Sequence, residues 1–70
     1  MDRLTLLKTR LARYLEAEAK ILRGEEYQLD ARRLRRPDLA KVRQAIKDLE
    51  DEIAELERRG GRVKRIVFVD

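Results

Sequence analysis

Residues 24–39 read GEEYQLDARRLRRPDL, and this stretch decides the fold. Gly24 is suited to stop a helix before it, and Pro37-Asp38 is suited to start one after it. Between them the helical period breaks: Tyr27 and Leu29 alternate with Glu26, Gln28 and Asp30, and Leu34 then sits among arginines. Alternation at period two is the signature of a strand. The reading is a small hairpin, with strands at about 26–29 and 32–35 and Asp30-Ala31 at the turn, although the strong Asn-Gly or Asp-Gly turn pair is missing. Two strands alone do not hold in water, so Tyr27, Leu29 and Leu34 are expected to lean on flanking helices.

Upstream, Leu4, Leu7, Leu11, Leu15, Ala19 and Leu22 recur at steps of three and four, which predicts an amphipathic helix over about residues 3–22 with that stripe against a partner. Asp2 is placed to cap its first turn, Glu16 and Lys20 form an i, i+4 pair, and Arg23-Gly24 closes the end. Downstream, Pro37 fits the first turn of a second helix and Asp38 faces the positive end of its dipole. Leu39, Val42, Ile46, Leu49, Ile53 and Leu56 then follow steps of 3, 4, 3, 4 and 3. This is an a/d seam of only about two and a half heptads, so it is expected to pack on the first helix of the same chain rather than form a free-standing coiled coil.

Gly60-Gly61 is expected to end the second helix. The boundary divides a domain at 1–61 from a tail at 62–70 that starts basic and turns apolar. Arg62, Val63, Arg65, Ile66, Val67, Phe68 and Val69 have strand composition and form the candidate partner-binding segment. An exposed run of this kind needs a cover, which is either the chain's own helices or another protein. The fold class that follows is α+β: two antiparallel helices packed with a short β-hairpin between them, and an extended C-terminal tail.

Composition removes whole classes of function. With 70 residues there is room for one small domain; with no Cys and no His, disulfides, thiol nucleophiles, imidazole acid–base chemistry and the commonest metal ligands are absent together. The longest apolar run, Ile66-Val67-Phe68-Val69, is far short of a membrane span, and the N-terminus has no apolar signal-peptide core. Asp48, Asp51, Glu52 and Glu55 share helical neighbourhoods but read as a solvated face in the absence of opposing ligands. The expectation is a non-enzymatic protein with no catalytic residue, cofactor, metal or small-molecule substrate.

Charge is high and unevenly placed, with 18 Lys and Arg against 14 Asp and Glu. Arg32, Arg33, Arg35 and Arg36 form one basic patch, and Arg58, Arg59, Arg62, Lys64 and Arg65 form another. The acidic run between them holds Asp48, Glu50, Asp51, Glu52, Glu55 and Glu57 with no basic residue. Opposed poles favour head-to-tail contact between copies or docking on a charged partner. The hairpin arginines are also dense enough to grip phosphates, without the zinc site, helix-turn-helix or aromatic platform of a specific reader.

The order of helix, hairpin with Tyr27-Gln28-Leu29, Pro37-Asp38-Leu39 helix start, second helix ending near Leu56-Glu57, and basic-then-apolar tail resembles the W-type (gpW-like) head–tail joining proteins of tailed bacteriophages. The resemblance covers nearly the whole chain. Residues 24–39 are also similar to a G-x-x-Y…L-x-R-x-D-L pattern found in small phage proteins of this size. What the resemblance implies is a structural head-completion subunit, monomeric until it joins a ring beneath the portal. Such a subunit touches portal and neck or tail proteins in the host cytoplasm and ends in the virion neck. Arg32, Arg33, Arg35 and Arg36 would then meet an acidic partner or packaged DNA, and the tail would dock on a neighbour. The tail carries more β-branched residues than that family's, which points to strand addition on an adjacent subunit. The other reading is a helical-hairpin adaptor or regulator that dimerises through the second helix, with non-specific nucleic-acid contact.

Overall fold

The computed structural model describes residues 2–68, with side chains described up to Arg59. The chain runs as α1 (Arg3–Leu22), β1 (Tyr27–Leu29), β2 (Arg32–Leu34), one turn of 3₁₀ helix (Arg36–Asp38) and α2 (Leu39–Phe68). It is the expected α+β arrangement, two helices with one antiparallel hairpin between them.

Each boundary of α1 is set by a local device. The Asp2 carboxylate accepts the Thr5 backbone N–H at 2.8 Å, which satisfies one of the free donors of the first turn. At the other end, Gly24 N–H donates to Ile21 C=O and Glu25 N–H to Lys20 C=O, each at 2.9 Å. This is the paired hydrogen-bond pattern of a Schellman cap, and it needs a left-handed residue at Gly24, whose φ is +85°. Both strands are one residue shorter at their outer ends than the sequence suggests, and the register sets Tyr27 opposite Leu34 and Leu29 opposite Arg32. The two-residue turn carries its left-handed residue at Asp30, φ +56°, a conformation aspartate tolerates better than most residues.

α2 is preceded by a reciprocal clamp. Arg35 N–H donates to an Asp38 carboxylate oxygen at 2.9 Å, and Asp38 N–H donates to Arg35 C=O at 2.8 Å. Pro37 sits inside the 3₁₀ turn instead of on the first position of α2, where its fixed φ still fits and its missing N–H costs nothing.

The helices are antiparallel, since Arg3 pairs with Glu52 while Glu18, fifteen residues further along α1, pairs with Arg43, nine residues back along α2. Two clusters fill the space between them. Ala17, Ile21, Leu29, Leu34, Val42 and Ile46 form the larger, with the hairpin as its lid; Leu7, Leu49 and Ile53 form the smaller. Among the described residues no polar or charged side chain is buried. The fold therefore rests on apolar burial, and its surface ion pairs add little.

Two expectations are corrected. On α1 the covered stripe is Leu4, Leu7, Leu11, Tyr14, Ala17 and Ile21, while Leu15 (42% exposed), Ala19 and Leu22 (48%) face outward. Two apolar branches leave Leu11, and the hairpin decides between them by packing over Tyr14, Ala17 and Ile21. The small Ala17, fully buried, lets it approach closely.

The second correction is at Gly60-Gly61, which does not end α2. The helix continues to Phe68, so the segment expected to be an extended tail is helical in its backbone from residue 62 to 68. Glycine inside a helix costs roughly 1 kcal/mol against alanine but does not forbid it. Only a glycine held at positive φ, as Gly24 is, terminates one. The side chains proposed for partner binding, Arg62, Val63, Arg65, Ile66, Val67, Phe68 and Val69, lie outside the described ones.

Candidate functional site

The seam of α2 is fully committed within the chain. Val42, Ile46, Leu49 and Ile53 are buried and Leu39 and Leu56 half-buried against α1 and the hairpin. A partner helix on that seam would have to displace α1.

The four hairpin arginines do not form one patch. Leu29 and Leu34 are buried, so the alternation of the strands puts Arg32 on the helix-facing side of β2 and Arg33 on the outer side. Arg33 pairs with Glu26 at 3.7 Å. Arg35 and Arg36 lie at the other end of the hairpin, where with Gly24, Glu25, Glu26 and Pro37 they line a mixed-charge hollow.

A basic surface does exist, built from residues far apart in sequence. A hollow of about 420 Å³ between α1 and the hairpin turn is lined by Leu6, Thr9, Arg10, Arg13, Tyr14, Leu29, Asp30 and Arg32. A smaller one, about 140 Å³, shares Tyr14, Leu29 and Arg32 and adds Lys41 from α2. The hairpin turn is thus flanked by Arg10, Arg13, Arg32 and Lys41 against one carboxylate, Asp30, which meets Arg13 at 3.4 Å. Among the described residues Arg10, Arg32 and Lys41 have no ion-pair partner. Sequence reading found Arg32 by its neighbours in the chain and missed the others, because α1 and α2 contribute them singly.

The acidic run on α2 is spread around the helix. Asp48, Asp51 and Glu55 stand at steps of three and four on the side turned away from the buried seam. Asp48 accepts from the Gln44 amide at 2.8 Å, Asp51 meets Lys47 at 3.0 Å, and Glu55 meets Arg58 and Arg59. Asp51 holds the Lys47 ammonium above its ordinary pKa through that hydrogen bond and its charge. Glu52, a helical neighbour of both Asp48 and Glu55, reaches across to α1 and pairs with Arg3. Among the described residues no three acidic groups converge as metal ligands would.

The hollow beside the hairpin turn is lined by the hydroxyl-bearing Thr9 and Tyr14 and by Asp30, whose carboxylate is met by Arg13 at 3.4 Å. The hydroxyl of Tyr27 donates to Glu16 at 3.2 Å under the Lys20 ammonium, which lies 5.8 Å from the ring centroid. This group pins β1 to α1 and is structural.

A family model matches residues 1–70, the whole sequence. The chain belongs to DUF6148, a family of unknown function. The match takes in the helices, the hairpin and the C-terminal segment alike. No curated protein and no solved structure matches the chain. No helix among the described residues is long and apolar enough to cross a membrane.

Proposed function

We propose that this DUF6148 chain is a structural subunit of a phage or prophage head–tail connector, one that joins a ring beneath the portal and links head to tail. The observation that carries the reading is the architecture. The resemblance to W-type joining proteins implies two antiparallel helices on one hairpin, and this small domain has that order with a turn clamp at Arg35 and Asp38 between hairpin and second helix.

The surface supports an assembling subunit. A domain this small, with nine buried apolar side chains among its described residues, gains stability from neighbours in a ring. Leu6, Leu15 and Leu22 remain 40–48% exposed. The proposed partners are other copies of the chain, the portal and a neck or tail protein. The protein acts in the host cytoplasm during assembly, then in the virion neck, without catalysis or cofactor, and its basic side touches packaged DNA non-specifically.

The test is genetic. Deleting the gene from the phage or induced prophage that carries it should leave DNA-filled heads and free tails unjoined, with restoration by the chain supplied in trans. Normal yield of infectious particles from the deletion would refute the reading.

A further inference from the structure

The positive charge that the chain leaves unneutralised gathers beside the hairpin turn. The outer face of α2 balances itself, with Asp51 on Lys47 and Glu55 on Arg58 and Arg59, and Glu26 answers Arg33 on the hairpin. Arg35 and Arg36 share their hollow with Glu25 and Glu26. Arg10 from α1, Arg32 from β2 and Lys41 from the start of α2 have no ion-pair partner among the described residues, and they line the two hollows at the turn. The carboxylate there, Asp30, is matched by Arg13 at 3.4 Å. Leu6, 40% exposed, and Leu29 make the floor between these cations apolar. A second copy presents no cluster of free carboxylates among its described residues, so the anion this surface suits comes from outside the chain. Cations supplied singly by three elements fit a ligand whose charges repeat along its length.

We infer that the Arg10–Arg13–Arg32–Lys41 surface is where the chain holds duplex DNA, by the phosphates of its backbone and not by its bases. The inference rests on the connector reading and gives its DNA contact a place. Of the arginine cluster at residues 32–36, only Arg32 takes part. Phosphate contacts carry no sequence information, and no exposed ring among the described residues offers a base a stacking face, so binding is indifferent to sequence. Leu6 gives the sugar between phosphates an apolar surface. Asp30 occupies Arg13 as an internal counter-ion, which leaves Arg10, Arg32 and Lys41 to set the strength; neutralising about three phosphates gives a slope of log K against log salt of about −2.7.

The experiment is fluorescence anisotropy of labelled DNA duplexes of two unrelated sequences, titrated with the full-length chain across a salt series. It uses the wild type, an Arg10→Ala/Arg32→Ala variant, an Arg33→Ala/Arg36→Ala variant of the same net charge, and Asp30→Asn, each checked for fold by circular dichroism; all five positions are exposed. The wild type should bind both duplexes equally, with a Kd of about 10⁻⁴–10⁻⁶ M near physiological salt. Arg10→Ala/Arg32→Ala should bind about tenfold more weakly, with a salt slope smaller by about 2, while Arg33→Ala/Arg36→Ala stays within about threefold of the wild type. Asp30→Asn keeps a residue that tolerates the left-handed turn and releases Arg13, so it should bind several-fold more tightly, with a slope steeper by about 1. Wild type that does not bind, a charge-matched variant that loses as much as Arg10→Ala/Arg32→Ala, or Asp30→Asn that binds no more tightly, overturns the inference. Any of these results beside unjoined heads in the gene deletion strikes this surface and leaves the connector; DNA binding that follows the variants beside a normal yield of particles does the reverse.

Discussion

Ile21, in the last turn of the first helix, and Val42, which begins the buried seam of the second, belong to one core cluster and are the two largest fully enclosed side chains among the described residues, at 0% and 1% exposure. Leu29 and Leu34 of the hairpin complete the same cluster. All the elements therefore share one core, and a loss at its centre is felt by each of them.

Ile21→Ala removes a fully buried side chain beneath the hairpin. The expected cost is about 2–5 kcal/mol, a large part of the total stability of a domain this size. Urea unfolding measures it; a change under about 1 kcal/mol would mean that the site collapses without leaving a cavity.

Gly24→Ala should destabilise by about 1–2 kcal/mol, the cost of a left-handed conformation for a residue with a Cβ. The cause is backbone strain alone, since nothing lies within 4 Å of where that Cβ would stand. Asparagine at the same position should recover part of the loss. Equal stability of wild type and Gly24→Ala would rule out the Schellman cap.

Asp2 gives the fold a pH dependence with a definite sign. Thr5, through its hydroxyl and its backbone N–H, holds the Asp2 carboxyl below the ordinary carboxylate range in the folded chain. The contribution is complete above the unfolded carboxyl's pKa and disappears as pH falls through the lower folded value. Asp2→Asn keeps a capping oxygen without the charge, so its stability should fall less steeply on acidification than the wild type's. Parallel pH profiles would contradict this.

Ala17 and Leu15 separate the covered branch of α1 from the exposed one. Leu15→Gln should change stability by no more than about 0.5 kcal/mol, and Ala17→Leu should cost about 1–3 kcal/mol by forcing the hairpin away. Thermal unfolding of both variants gives the comparison. The reverse order would restore the stripe through Leu15, Ala19 and Leu22.

How far the sequence could be read depends on how local each signal is. The caps at Asp2 and Gly24, the turn at Asp30-Ala31 and the seam from Leu39 to Leu56 are carried by residues within a few positions of one another, and all were legible. The face of α1 past Leu11 was not, because leucine and alanine recur on both branches and a tertiary contact with the hairpin makes the choice. Gly60-Gly61 misleads for another reason: glycine permits a left-handed cap without requiring one. The basic surface was half legible. Arg32 stands in a visible cluster, but Arg10, Arg13 and Lys41 join it only once two helices are folded around the hairpin turn, which disperses Arg33, Arg35 and Arg36 elsewhere.

The most direct test of the connector reading is to mix the purified full-length chain with DNA-filled heads from the gene-deletion lysate and sediment them together. The chain is predicted to travel with the heads in several copies per portal and to restore tail joining. A chain that stays behind, or that forms a stable two-fold dimer indifferent to heads at any concentration, would contradict the account.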